Sequence, residues 1–458
     1  MGRTHALEEL SALTVPSMPM GILIPASLLF TALIAITLWR LRDWAGGFVV
    51  FVIWLRMMTG AFHVFSFSAS PLGLSWNALI SIATVACGFF IIRKSQLMLR
   101  ILVPIYVLIG VVIASGIVNA QYGGLVSAAM KLGLLIVLVL AATDAAGRLG
   151  DRFLQAVLAA FAPPFLLQLL SIPLGITKAT EMDGSASYIG GFAHEAAFSM
   201  IVMTAMFAVA MIRDMRLSIR LGLVGWCLAA LLLANYRTTM IAFLPFFAVV
   251  ALRATLIRMQ PSHRPVLLLA TLCLAFGGIF ASSSNIGARF ADLSVVTTID
   301  DYLSRSPDSF NKEERRIMSG RPYIWSQYVD GWRSGPPHYR IIGAGPEVYP
   351  PGAKLYAHNT LISALFEYGL IGLFVYAWLL AALALPAFRA EAGEKSRLLT
   401  VHAGFLILNM ATMPLWNIEG VMMYALFVGY TLSSARRGRD AAALAQWREA
   451  ERPQPQFA

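Results

Sequence analysis

Six polar residues of this sequence lie at the borders of apolar runs or in the long polar segment between two of them. They are His194, Glu195, Arg237, Arg321, His358 and Asn359. An ionisable group close to hydrocarbon is costly unless a cavity or a partner receives it. We therefore predict that these side chains, although scattered along the sequence, share one pocket at the ends of the apolar segments. Such a pocket is where chemistry could take place at a membrane surface.

Each of these residues also has a structural alternative. Arg237 could extend from a helix end to the lipid headgroups. His358 and Asn359 could cap the helix that follows them, since asparagine is a preferred N-cap. His194 and Glu195 could form an ion pair at the membrane interface.

The composition indicates a polytopic membrane protein. Of the 458 residues, 58% are hydrophobic and 13% are charged, and few water-soluble surfaces could be built from so little charge. A membrane helix needs about 20 largely apolar residues, because each backbone group must be satisfied within its own segment. We predict an all-α fold of about 12–13 transmembrane helices with one large helical periplasmic loop. The candidate spans are 20–39, 44–60, 74–92, 101–118, 126–142, 153–172, 196–212, 219–235, 239–256, 266–282, 360–387, 398–413 and 419–433.

Positive charge alternates between successive loops, which predicts the orientation of the chain. The basic loops lie near 40–42, 93–100, 148–152, 213–220, 253–264, 389–397 and 436–439. Because lysine and arginine favour the cytoplasmic side, the C-terminus is predicted inside and the other loops outside. In a bacterium this means the inner (cytoplasmic) membrane, with the active site facing the periplasm. The net charge of +11 is explained by orientation in a lipid bilayer, and no nucleic-acid motif is present.

The predicted domains follow from these spans and from the long polar segment. They are an N-terminal transmembrane bundle (1–282), a large periplasmic loop (283–359), C-terminal transmembrane helices (360–433) and a cytoplasmic tail (434–458). Within the loop, aromatic and apolar residues recur at helical spacing and predict an amphipathic helix. These residues are Ile324, Trp325, Tyr328 and Trp332.

Metal and cofactor chemistry finds little support in the sequence. Cys87, Cys227 and Cys273 all lie in apolar runs, without the spacing of a metal site or a disulfide framework. No CxxC, HExxH or DxD-like cluster lies outside the membrane, although Asp300 and Asp301 are adjacent. We predict neither a tightly bound metal nor a cofactor.

Three stretches together resemble the O-antigen ligase and polymerase superfamily. They read SGRPYIW, GAGPEVYP and HNTLISALFEYGLIG, and the number of helices and the large loop are similar as well. The matching positions are Arg321, Trp325, Gly343, Gly345, His358, Asn359, Leu361, Glu367, Gly369, Leu370 and Gly372. GGFAHEAAFSM resembles the Gly-Phe-x-x-Glu-Pro stretch of repeat-unit polymerases, with Ala196 where proline is typical. Arg237 resembles a family arginine at the outer end of a helix pair.

The resemblance implies a reaction on an oligosaccharide joined through pyrophosphate to a polyprenyl lipid. In that reaction Arg237 and Arg321 would stabilise the pyrophosphate as it leaves, because guanidinium stays protonated and binds two oxygens. His358 would be the base for the acceptor hydroxyl. The second candidate base is Glu195.

The remaining predicted site residues would bind substrate. Asn359 would orient His358 or a sugar, and His194 would assist Glu195. Tyr323, Trp325 and Trp332 could stack on sugar rings, and Gly343 and Gly345 would allow close approach of the backbone.

The resemblance leaves the acceptor open. The first reading is a polymerase of O-antigen or exopolysaccharide repeat units, whose acceptor is another glycan. The alternative is a ligase that joins the finished chain to lipid A core or to a protein. A transporter would place polar residues near mid-membrane, whereas here they gather at one surface. A scaffold of the envelope would predict that single polar substitutions in the long loop have no effect.

Overall fold

The computed structural model describes residues 15–71, 73–179, 186–256, 260, 262, 265, 299–353 and 355–450. Over these residues the predicted all-α class is confirmed. The two strands in this part, β1 (Lys178–Ala179) and β2 (Ala186–Ser187), form one antiparallel hairpin.

Within the described residues helices cover the predicted spans, although the spans 153–172 and 239–256 each consist of two helices. In chain order they are α1 (Met20–Leu41), α2 (Trp44–Ala61), α3 (His63–Ser66), α4 (Trp76–Ile91), α5 (Val103–Val118), α6 (Tyr122–Leu149), α7 (Asp151–Ala160), α8 (Ala162–Ser171), α9 (Glu195–Met211), α10 (Leu217–Leu233), α11 (Arg237–Ala242), α12 (Leu244–Leu256), α13 (Ile299–Ser304), α14 (Arg321–Ser334), α15 (Tyr339–Ile342), α16 (Thr360–Ala384), α17 (Lys395–Ala411) and α18 (Ile418–Ala450). The predicted span 266–282 and the predicted loop residues 283–298 lie outside the described residues.

The apolar helices indicate a multi-pass membrane protein. In the described part, six helical segments are long and apolar enough to cross a membrane: Met20–Leu41, Trp44–Ala61, Arg100–Val118, Tyr122–Leu149, Asp151–Ser171 and Thr360–Arg389. Four shorter apolar helices accompany them: Trp76–Ile91, Glu195–Met211, Leu217–Leu233 and Leu244–Arg253. The total of 12–13 spans stays a prediction.

Helices α6, α9 and α18 form the centre of the core. All but one residue of α9 is buried, and Phe207 of α9 packs against Phe427 of α18 with 4.6 Å between ring centroids. At Gly429 of α18 an added Cβ would lie 2.6 Å from the Cβ of Ala142 in α6. Small residues at a crossing let two helix backbones approach closely, which is how membrane helices gain packing contacts.

Ion pairs gather the basic loops at one end of the bundle, here called the basic end. Glu394 accepts from Arg213 at 3.0 Å and from Arg437 at 2.9 Å, and Arg148 pairs with Asp43 at 3.0 Å. These contacts join the α9–α10 and α16–α17 connections to α18, and the end of α6 to the α1–α2 connection. The opposite end, which carries His358, is here called the loop end.

Helix α16 is kinked near the loop end. Gly369 has φ 65° and ψ −163°, so the helical hydrogen bonding is interrupted there. The carbonyl oxygens of Phe366 and Glu367 instead accept the N–H groups of Ala344 and Gly345 at 2.8 and 3.0 Å. The GAGPE segment of the loop therefore satisfies backbone groups that the kink releases.

Candidate active site

Asn359 fixes the start of helix α16 and with it the position of His358. Its Oδ1 accepts the N–H groups of Leu361 and Ile362 at 3.0 and 3.2 Å, so Asn359 is a helix N-cap. Its Nδ2 donates to the carbonyl oxygen of Met410 at 3.2 Å, which ties the cap to α17. The alternative that this pair caps the following helix is therefore correct for Asn359. His358 lies one residue before the cap, with φ 49°.

Helix α14 holds the segment that leads to His358. The Trp325 Nε1–H donates to the carbonyl oxygen of Ala357 at 2.7 Å, and the Tyr328 hydroxyl donates to that of Leu355 at 3.2 Å. The ring of Tyr356 packs on the His358 ring with 4.0 Å between centroids. The amphipathic helix predicted from these aromatic residues is present, and its buried side positions the histidine.

The hydrogen bond of Trp325 gives a testable prediction. Trp325→Phe keeps a buried ring but leaves the fully buried carbonyl of Ala357 without this donor, a loss worth about 1–3 kcal/mol. Because a misplaced catalytic group is costly, we expect glycan transfer to fall by about 10- to 100-fold. Transfer rates of the purified variants measure this effect. The matched control is Trp332→Phe, because the indole N–H of Trp332 donates to the carbonyl oxygen of Arg340 over a longer distance, 3.4 Å. Equal losses of transfer in both variants would contradict the assignment of Trp325 as the residue that positions His358.

Arg321 brings a cation to the same place from a different part of the chain. It is the first residue of α14, and its Nη2 donates to the Thr238 Oγ1 at 3.2 Å. Thr238 follows Arg237, the residue at which α11 begins. The backbone of Arg237 is therefore next to the contact that Arg321 makes.

Electrostatic interactions place Arg321, His358 and His194 close together. Burial, then the guanidinium of Arg321, then His194 lower the pKa of His358 to about 3. Burial raises the pKa of the Tyr236 hydroxyl, while the charge of Arg321 opposes that rise. Of the six residues predicted to share a pocket, Arg321 and His194 both act on His358, and the cap Asn359 follows His358 in the chain.

His194 and Glu195 begin helix α9, and Glu195 has a partner that the sequence did not reveal. The Nδ1 of His194 accepts the N–H of Ala196 at 3.1 Å and caps α9. The Glu195 carboxylate makes its ion pair with Lys178 of β1, at 2.8 Å, and not with the neighbouring His194. Lys178 is the only lysine or arginine between Pro173 and His194, which is the one signal in the sequence that could have identified it.

The other predicted contact residues lie against the protein's own chain. Arg315 covers the ring of Tyr323, with Cζ 4.8 Å from the centroid. Trp325 is only 8% exposed. An added Cβ at Gly345 would lie 2.6 Å from Gln121, and one at Gly343 would overlap the backbone at Glu367. The two glycines therefore do allow a close approach, but they approach other parts of this chain.

Glu367 anchors the GAGPE segment from inside the bundle. It is fully buried, its Oε2 accepts the N–H of Glu347 at 2.8 Å, and Ser363 donates to its Oε1. The Glu347 carboxylate in turn accepts from Lys131 at 2.5 Å and from Ser127 at 2.7 Å. This chain of bonds links the loop to α6 and α16.

In the part of the chain that the structure describes, no three His, Cys, Asp or Glu side chains form a group that could hold a metal ion.

Comparison with known proteins supports the resemblance found in the sequence. Residues 222–377, about a third of the chain, match the family model described as O-antigen ligase. The matched segment contains Arg237, Arg321, His358 and Asn359, whereas His194 and Glu195 lie before it. No curated protein matches the chain. The match supports the O-antigen ligase and polymerase superfamily, whose members are membrane glycosyltransferase-like enzymes, and a ligase or polymerase type of function in general.

Proposed function

We propose that this protein transfers an oligo- or polysaccharide from a polyprenyl-pyrophosphate carrier to a glycan acceptor, at the periplasmic face of a bacterial inner membrane. The observation that carries the proposal is the convergence at the loop end. Arg321 and His358 lie far from His194 in the sequence, yet the charge of Arg321 and that of His194 both act on His358. A cation beside a histidine suits a reaction that expels an anionic leaving group and activates a hydroxyl.

The reaction needs no covalent intermediate. The acceptor hydroxyl oxygen bonds to the anomeric carbon as the bond between that carbon and the pyrophosphate oxygen breaks. The lipid pyrophosphate leaves with the bonding electron pair, and the hydroxyl proton passes to the imidazole of His358. Arg321 stabilises the charge that accumulates on the leaving group, with Arg237 as the second predicted cation.

The low pKa of His358 fits this order of events. A neutral imidazole can accept a proton, but one with a pKa of about 3 is a weak base. A bound pyrophosphate would oppose the positive field of Arg321, which is one cause of the lowered pKa, and would therefore raise the pKa of His358. His358 would therefore be a stronger base when the donor is in place.

We favour a polymerase of O-antigen or exopolysaccharide repeat units, because GGFAHEAAFSM resembles the corresponding polymerase stretch. The second candidate is a ligase that transfers the finished chain to lipid A core or to a protein. The matched family model, described as O-antigen ligase, supports either candidate.

The test uses purified protein in nanodiscs with a polyprenyl-pyrophosphate-linked repeat unit, first alone and then with lipid A core. A ladder of products from the donor alone supports the polymerase, and product only with lipid A core supports the ligase. Arg321→Ala should reduce either product by at least about 100-fold, since removal of one donor to a developing oxyanion costs that much. The matched control is Arg316→Ala, an exposed arginine of the same loop. No product with either acceptor would contradict the proposal.

A further inference from the structure

Lys178 forms an ion pair with Glu195, a predicted site residue, although Lys178 itself was not predicted. Its Nζ lies 2.8 Å from the Glu195 Oε2, and the two side chains are 12% and 9% exposed. Lys178 belongs to the β1–β2 hairpin, and Glu195 begins α9. The pair thus joins a loop connection to a core helix at the loop end.

The pair shares its surroundings with Arg321 and His358. Glu195 interacts with His194, which in turn interacts with His358. The charges of Arg321 and of Glu195 both act on the Tyr236 phenol, so the two charges lie near the same residue. Lys178 therefore brings a second positive charge to the group of residues that would face the leaving pyrophosphate.

A diphosphate attracts an ammonium group more strongly than a single carboxylate does. A diphosphate carries more negative charge and more acceptor oxygens, and lysine is a compact cation on a flexible stem that can change partners. In a partly buried site the attraction of the ammonium to either anion is less screened than in water, so the difference between the two anions matters more.

We propose that Lys178 binds the diphosphate of the lipid carrier and leaves Glu195 to do so. The released Glu195 carboxylate then accepts a hydrogen bond from the acceptor hydroxyl or its sugar. This inference rests on the proposed function, because it assigns Lys178 and Glu195 to the two substrates of that reaction. A purely structural salt bridge would instead only fasten the hairpin to α9.

The two explanations predict opposite effects of removing Glu195 on ligand binding. If the pair is only structural, removing either partner disturbs the same hairpin and weakens ligand binding alike. If Lys178 exchanges partners, removing Glu195 frees the lysine for the diphosphate. Binding then becomes tighter in Glu195→Gln and weaker in Lys178→Ala.

The experiment measures the binding of farnesyl diphosphate to the protein in nanodiscs by calorimetry. We expect Lys178→Ala to raise the Kd by about tenfold or more, the worth of one charge-assisted hydrogen bond. Lys178→Arg should keep most of the affinity, and Glu195→Gln should lower the Kd while slowing glycan transfer. The matched control is Lys312→Ala, an exposed lysine of the same loop end, which should leave the Kd unchanged.

The double variant Lys178→Ala/Glu195→Gln guards against misfolding, because it removes both charges and leaves neither unpaired. Weak binding in the double variant supports the exchange, whereas restored binding would overturn it. Equal weakening in the two single variants, or no change in Lys178→Ala, would also overturn it. Arg321→Ala separates this inference from the proposed function. An unchanged Kd in Arg321→Ala would mean that the proposed site itself is wrong. Weaker binding in Arg321→Ala but not in Lys178→Ala would mean that only the role of Lys178 is wrong.

Discussion

His358→Gln is expected to lower the rate of glycan transfer by about 10²–10⁴-fold while the protein remains folded. This is the usual worth of a general base, and glutamine keeps hydrogen-bonding groups in the same space without accepting the proton. The helix cap belongs to Asn359, so the substitution leaves the start of α16 in place. Single-turnover transfer measures the effect, and size-exclusion chromatography and the Tm report the fold.

The pH dependence supplies a second readout for His358. Because its pKa is lowered to about 3, the imidazole stays neutral as the pH falls from 7 to 5. Its protonation should therefore not reduce kcat/KM in that range, since kcat/KM reports the free enzyme. A histidine with an ordinary pKa of about 6.5 would instead lose about 30-fold at pH 5.

The control for His358 is His338→Gln. His338 is an exposed histidine of the same loop whose Nε2 lies 3.1 Å from the Asn119 Oδ1. Its substitution should leave the transfer rate within about twofold, because it is placed outside the site. Near wild-type transfer by His358→Gln would show that the base lies elsewhere, and Glu195 would then be the next residue to replace.

Local signals in the sequence located the elements of the site. The spans follow from the length of apolar runs, and the helix over Arg321–Ser334 follows from its aromatic spacing. The Asn359 cap follows from the preference of asparagine for helix starts. Each of these features depends on residues close together in the chain, which is why one sequence is enough to find them.

Partners that are distant in the sequence could not be predicted in the same way. Periodicity placed Trp325 on the aromatic face but did not show that its indole would hold Ala357 and not a sugar. Nothing local connects Lys178 to Glu195, because the hairpin fold brings them together. Glu367 was found only as a position that matches the family stretches, and nothing local shows that it accepts a backbone N–H from the GAGPE segment and the hydroxyl of Ser363.

Gly369→Ala is expected to leave little folded or active protein. With φ 65° and ψ −163°, this residue occupies a conformation that is almost restricted to glycine, which costs other residues about 1–3 kcal/mol. An added Cβ would also overlap the carbonyl group of Ile341 and lie 2.6 Å from the Ile342 nitrogen. These are backbone atoms that cannot rotate away, so the GAGPE segment would separate from the carbonyl groups of Phe366 and Glu367. The total exceeds about 3 kcal/mol, a large fraction of the stability of most domains.

The yield of monodisperse protein and its Tm in detergent measure this loss. Gly110→Ala is the matched control, because Gly110 lies in α5 with no atom within 4 Å of an added Cβ. Alanine there should stabilise the helix by about 0.5–1 kcal/mol. Gly369 is one of the positions that match the family stretches. A glycine within an apolar run is nevertheless compatible with a straight helix. Only the packing of Ile341 and Gly343 against α16 requires the kink. If Gly369→Ala gave the same yield, Tm and transfer rate as Gly110→Ala, α16 would be able to straighten and the loop would not depend on the kink to position His358.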